Sequence, residues 1–227
     1  DIGIVDSGVD NLHPALSFHG FYEASFADID QDDTPDEDED DYQGHGTHVA
    51  GIVASADSTY PGIAYDLDSI VNAKAGWVNS QGGSTMYLSD AMEAIDWAIF
   101  SAGDPADIIN YSFGGGPGSG YTSFALFMDS VVDSLLCPVA VSAGNAEYSG
   151  VTSPGVAYNI LSVASAYDRN TVNRDDDYLS TYSSRGPTGD GRKKPDITAP
   201  GQFIDSCNNE WETGDDFIPK SGTSMAA

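Results

Sequence analysis

Short apolar runs, each stopping at a small or polar residue, alternate along this chain with stretches whose apolar residues recur every three or four positions. Ile2-Gly3-Ile4-Val5 is the first run, and it ends in Asp6-Ser7-Gly8. Ser69–Ala73, Asp107–Phe113, Pro138–Ser142, Ile160–Ala164 and Asp196–Gly201 repeat the theme. Consecutive apolar positions over so few residues read as strands buried on both faces, the habit of parallel sheets. The intervening stretches read as helices. Leu88, Ala91, Met92, Ile95 and Ile99 share one helical face, and Phe124, Phe127, Val131 and Leu135 share another within about 121–136. From Val49 a third helix of small apolar residues requires close neighbours. This β-α-β alternation predicts an α/β fold: a three-layer, doubly wound, mainly parallel sheet with helices on both faces. No repeat or linker-like stretch divides 1–227, which is expected to be a single domain.

Composition narrows the possibilities. A chain of 227 residues with 40% apolar content is long enough to bury roughly 70% of its unfolded surface. No apolar run approaches the roughly 18 residues needed to cross a bilayer. Eight basic residues against 36 acidic ones give a net charge of −28. Nucleic acid and anionic membranes are therefore excluded as partners, while divalent cations or a saline medium suit the chain. Cys137 and Cys207 form no Cys-x-x-Cys motif, so zinc and dithiol redox chemistry are unsupported. They either pair or remain as buried thiols. No leader is visible ahead of Asp1, so the expectation is of a chain whose signal has been removed or which starts mid-protein.

Several polar residues stand where elements end. Asp6 closes the first strand, where it either makes an Asx-turn or serves a site at the sheet's carboxyl edge. His45 opens the buried helix between Gly44 and Gly46, glycines that let another backbone approach its ring. His48 lies three residues on, but no Glu follows as in His-Glu-x-x-His, so it is read as structural. Gly114-Gly115-Gly116 lacks the Lys-Ser/Thr of a phosphate loop. Asn145 follows the strand 138–142, and Ser224 follows a Gly-containing turn that runs into Met225 and Ala226. A serine at the start of a helix is usually a cap, and it becomes a nucleophile only with a base and an orienter of that base. The acidic run 28–41 places Asp28, Asp30, Asp32 and Glu39 at calcium-loop spacings. Asp33 and Pro35 depart from the EF-hand pattern, however, and a solvated loop is the default reading beside structural calcium.

A parallel sheet brings element ends to one edge, and Asp6, His45, Asn145 and Ser224 then make chemical sense together. Ser224 attacks a carbonyl, His45 takes its proton, Asp6 fixes the imidazole tautomer and Asn145 donates to the oxyanion. The order Asp, His, Ser differs from the Ser, Asp, His order of α/β-hydrolases, whose Gly-x-Ser-x-Gly is also missing.

Asp6-Ser7-Gly8, His45-Gly46-Thr47-His48-Val49-Ala50-Gly51 and Gly222-Thr223-Ser224-Met225-Ala226 resemble the three signature blocks of the subtilisin-like serine proteases, the subtilases. Ser142-Ala143-Gly144-Asn145 is similar to their oxyanion block, and Ser184-Arg185-Gly186-Pro187 through Ala199-Pro200-Gly201 to the segment before their serine. The resemblance spans nearly the whole chain. It implies the subtilisin-like fold and a secreted, extracellular endopeptidase that works through an acyl-enzyme and needs no cofactor for its chemistry. Its partners would be polypeptides bound as an extended strand, and its own pro-segment. Ser112, Phe113 and Gly114 would form one wall of the cleft, and Ser142, Ala143 and Gly144 the facing wall. The family's calcium loop after the histidine has no Asn-rich counterpart in 55–62, so the acidic run is the candidate replacement. An inactive peptide-binding fragment is the alternative, and the short stretch after Ser224 leads us to expect a catalytic domain truncated there.

Overall fold

The computed structural model describes the backbone of residues 1–227 and every side chain except that of Pro117. In chain order the elements are β1 (Ile2–Asp6), β2 (Gly20–Ser25), α1 (His45–Ala54), β3 (Ser69–Lys74), β4 (Gly76–Val78), β5 (Ser84–Met86), α2 (Leu88–Phe100) and β6 (Ile108–Tyr111). Then come β7 (Gly115–Pro117), α3 (Ser123–Leu135), β8 (Val139–Ser142), β9 (Thr152–Ser153), β10 (Leu161–Tyr167), β11 (Tyr178–Leu179), β12 (Ile197–Pro200), β13 (Ile204–Cys207) and β14 (Phe217–Lys220). The expected mainly parallel sheet with helices is present. The chain divides into two compact units, Asp1–Ile109 with Asp205–Ile218, and Asn110–Ile204 with Pro219–Ala227.

In the first unit β3 lies between β1 and β2, parallel to both, with Asp6 and Ser25 each opposite Lys74. All six residues of β3 are buried, as a strand covered on both faces requires. Helix α1 packs on β1, and α2 on β1 and β3. Helix α2 presents the expected face in part: Ala91 and Ile95 are fully buried and Met92 and Ile99 half-buried. Leu88 is 54% exposed, and Asp90, Ala94 and Ala98 are buried beside that face. The alanines allow a close helix–sheet approach that larger side chains would prevent. Strand β3 also runs one residue beyond the apolar stretch. The fully buried Lys74 Nζ is satisfied by the Asp40 carbonyl at 2.5 Å and Glu37 Oε2 at 2.9 Å.

In the second unit β10 is parallel to β8 and β12 and antiparallel to β11. Helix α3, capped by Thr122 Oγ1 accepting from Ala125 N at 3.2 Å, packs on β8. Phe124, Ala125, Met128 and Val131 are buried, while Leu135, the last helical residue, is 37% exposed; Leu136 adopts a left-handed conformation that ends the helix. Residues Thr223 to Ala226 form a turn where the sequence suggested a helix start. Ala226 N and Ala227 N both donate to the Thr223 carbonyl.

Candidate active site

In the first unit β1 delivers Asp6 at its carboxyl end, fully buried. One oxygen, Oδ1, accepts from Ser7 N at 2.8 Å and from His45 Nδ1 at 2.7 Å. A carboxylate can only accept, so His45 carries a proton on Nδ1; in the neutral imidazole this tautomer places the lone pair a general base needs on Nε2. The imidazole is the first residue of α1, four positions earlier than the apolar pattern indicated, and its side chain is 21% exposed. Gly46 explains the small residue beside it. A Cβ there would lie 2.1 Å from the Gly8 carbonyl oxygen and 3.1 Å from Asp6 Cβ, so any side chain would lever the helix off the Asp6–Gly8 turn.

In the second unit Ser224 is 8% exposed, and its Oγ donates to the Ser112 carbonyl at 2.9 Å. The single Ser112 Oγ proton is shared between the Ser224 carbonyl at 3.2 Å and Asn110 Oδ1 at 2.9 Å. Asn145 Oδ1 accepts from Thr223 N at 3.0 Å and Thr223 Oγ1 at 3.1 Å. Its oxygen is thereby turned toward Thr223, so Nδ2 is the end that donates. Gly144 N donates to Thr223 Oγ1 at 3.1 Å. With φ at 101° and Thr152 Oγ1 only 2.4 Å from a would-be Cβ, position 144 admits only glycine. Ser142 and Ala143 are buried, Phe113 is half-buried and Gly114 is exposed. Ala143 N and O bond Val163 O and Thr152 N, and Gly144 O accepts from Ser184 N. The 142–144 segment therefore spends its backbone groups inside the unit and contributes shape rather than strand pairing.

The other candidates are distributed differently. Asp28, Asp30 and Asp36 place carboxylate oxygens within 4.8 Å of one another. Asp36 thus stands where the spacing suggested Asp32 and Glu39. Asp32 Oδ1 instead accepts from Thr34 N at 3.0 Å, and Glu39 offers its carbonyl to Asn72 Nδ2 at 3.1 Å. The negative charge of Asp32 is the foremost cause of the raised pKa of Asp30. His48 and His13 engage the Ile218 and Asp216 carbonyls through Nε2 at 2.9 Å each, and His19 bonds the Leu67 and Ala54 carbonyls, all structural roles. Cys137 and Cys207 form no disulfide and are buried; burial pushes the Cys207 thiol up to about 12. No helix is long and apolar enough to cross a membrane, among the described residues. Sequence reasoning missed Asp41. It closes the acidic run and looks like one more solvated carboxylate, yet it is 6% exposed.

The model of the subtilase family matches residues 1–227. The chain belongs to the subtilase family. The subtilase is 32% identical to serine protease AprX of Bacillus subtilis over 99% of its own length and 53% of that protein's. It is 33% identical to the halolysin-like extracellular serine protease Nep of Natrialba magadii, covering 100% of the subtilase and 37% of Nep. The chain therefore spans about half or less of these two relatives. A solved psychrophilic protease superposes with a TM-score of 0.73 at 27% identity, over 99% of this chain and 72% of that one.

Proposed function

We propose that this chain is the catalytic region of a secreted serine endopeptidase. Ser224 is the nucleophile, His45 the general base and then general acid, and Asp6 the group that holds the imidazole tautomer and stabilises the imidazolium. Asn145 Nδ2 and the Ser224 backbone N–H donate to the oxyanion of the tetrahedral intermediate. The acyl-enzyme formed on Ser224 is then hydrolysed by a water that His45 deprotonates. Polypeptide substrates lie extended along Ser112, Phe113 and Gly114, with 142–144 shaping the opposite side. The observation that carries the reading is the 2.7 Å bond from His45 Nδ1 to the fully buried Asp6 carboxylate, in a chain whose family blocks also supply Ser224 and Asn145. Secretion is supported by the −28 net charge and by the relative described as extracellular. The pro-segment remains the expected additional partner. Calcium, where bound, would be held by Asp28, Asp30 and Asp36, and it takes no part in the chemistry.

Steady-state hydrolysis of a chromogenic peptide tests the triad. Asp6→Asn removes the acceptor charge that fixes Nδ1–H, and kcat should fall by about 10⁴, the scale found for this substitution in serine proteases. Retention of more than a tenth of the wild-type kcat would remove Asp6 from the mechanism.

A further inference from the structure

The buried Asp41 carboxylate collects five hydrogen bonds. Oδ1 accepts from Ser7 Oγ at 2.9 Å, Gln43 N at 3.0 Å and Gly44 N at 2.8 Å. Oδ2 accepts from Thr47 N at 2.8 Å and Thr47 Oγ1 at 2.7 Å. These donors lie beside the two residues that must stay in register. Ser7 follows Asp6, Gly44 precedes His45, and Thr47 lies two residues beyond it. Ser7 Oγ closes the circuit by accepting from Gly46 N at 3.0 Å.

Helix α1 needs this arrangement. Its N-cap is a left-handed Gly44, which has no side chain to cap the first turn, and the first N–H groups of a helix have no partners of their own. Asp41, three residues upstream, supplies acceptors to the N-cap and third-position N–H groups, and Ser7 supplies one to the second. An anion at a helix N-terminus is also favoured by the peptide dipoles. Thr47 Oγ1 further accepts from Asp10 N at 2.9 Å, which ties the loop after β1 to the same point. Burial raises the Asp41 pKa, while the bonds from Thr47, Gly44 and Gln43 work to lower it.

We propose that Asp41 is a positioning residue for the peptidase reaction: a buried carboxylate that locks the Asp6 turn to the first turn of α1 and so sets the Asp6–His45 bond. The proposal rests on the peptidase reading for its kinetic consequence and on geometry alone for its structural one. A misplacement on the order of 1 Å at reacting groups costs about 10²-fold. Asp41→Ala should therefore lower kcat by roughly 10- to 100-fold with KM changed by less than about threefold. Asp41→Asn keeps one acceptor oxygen and should recover part of that loss. Without the buried anion the His45 imidazolium is less favoured, so the acidic limb of the kcat/KM profile should move to lower pH in Asp41→Asn.

The test pairs these kinetics with the low-field proton NMR signal of His45 Nδ1–H in the full chain, a readout that needs no turnover. Expected are a sharp signal in wild type, its loss or displacement in Asp41→Ala and in Ser7→Ala, and its partial return in Asp41→Asn. If Asp41→Ala fails to fold, Ser7→Ala and Thr47→Val, which each remove one donor, carry the comparison. Unchanged kcat, pH profile and Nδ1–H signal in a folded variant would overturn the proposal and leave the peptidase reading intact. A wild-type protein whose Ser224 neither hydrolyses peptide nor reacts with a serine-directed fluorophosphonate would sink the peptidase reading, while the NMR comparison still decides the role of Asp41.

Discussion

Ser224 and Ser112 hold each other reciprocally: the Ser224 hydroxyl donates to the Ser112 carbonyl at 2.9 Å, and the Ser112 hydroxyl donates back to the Ser224 carbonyl at 3.2 Å. The Thr223–Ala227 turn is therefore anchored on the same segment that is proposed to carry the substrate backbone. In the proposed mechanism Ser224 Oγ would leave the Ser112 carbonyl to attack, and that carbonyl would become available to a substrate N–H. Substrate binding and release of the nucleophile would thus be one exchange of hydrogen bonds.

Ser112→Ala should remove the half of this pair that fixes the Ser224 backbone while leaving the Ser112 carbonyl in place. A neutral hydrogen bond is worth about 1 kcal/mol, so kcat should fall by up to about tenfold with KM nearly constant. A KM rise at constant kcat would mean that Ser112 Oγ serves substrate binding instead.

Stability should rise on mild acidification and then fall. Desolvation raises the carboxyl pKa values of Glu23 and Asp90 in the folded chain. The folded state then takes up protons before the unfolded state does, and stability grows as pH drops from neutral toward the ordinary carboxylate range near about 4. The opposite sign applies to Asp57, lowered chiefly by the Tyr60 backbone hydrogen bond, and to Asp190, lowered to about 2 chiefly by its bond from Thr188. Their contribution is lost as pH falls below about 4, through their folded pKa values. A melting temperature that only declines from pH 7 downward would show that the raised group does not govern this window.

Much of this was legible in residue order. Ile4, Val5, Ile95, Phe124 and Val131 occupy core positions because strand and helix periods fix which side chains share a face. Leu88 and Leu135 misled, since hydrophobicity alone cannot tell that alanines fill the tight contact. Strand β2 was invisible: its residues are exposed or half-buried throughout, so it shows no apolar run. Asp6 and His45 were readable from their signature blocks. Asp41 and Lys74 were not, because a charge count cannot say which carboxylate or ammonium is buried among partners.

The acidic run supplies a prediction about cations. Asp30 feels repulsion from Asp32, Asp36 and Asp28, and Asp28, Asp30 and Asp36 converge within 4.8 Å. Calcium added to chelated protein should raise the melting temperature, and Asp30→Asn should abolish the calcium-specific part. Equal stabilisation by calcium and by sodium chloride at matched ionic strength would reduce the loop to screened charge.

The central claim is that Ser224 is a nucleophile activated by His45. The most direct measurement is mass spectrometry of the native protein after treatment with a fluorophosphonate, which phosphonylates activated serines with loss of fluoride. The account predicts a single adduct on the peptide containing Ser224, absent in Ser224→Ala and formed far more slowly in His45→Ala. An unlabelled Ser224 in folded protein, or labelling that is indifferent to His45, would contradict it.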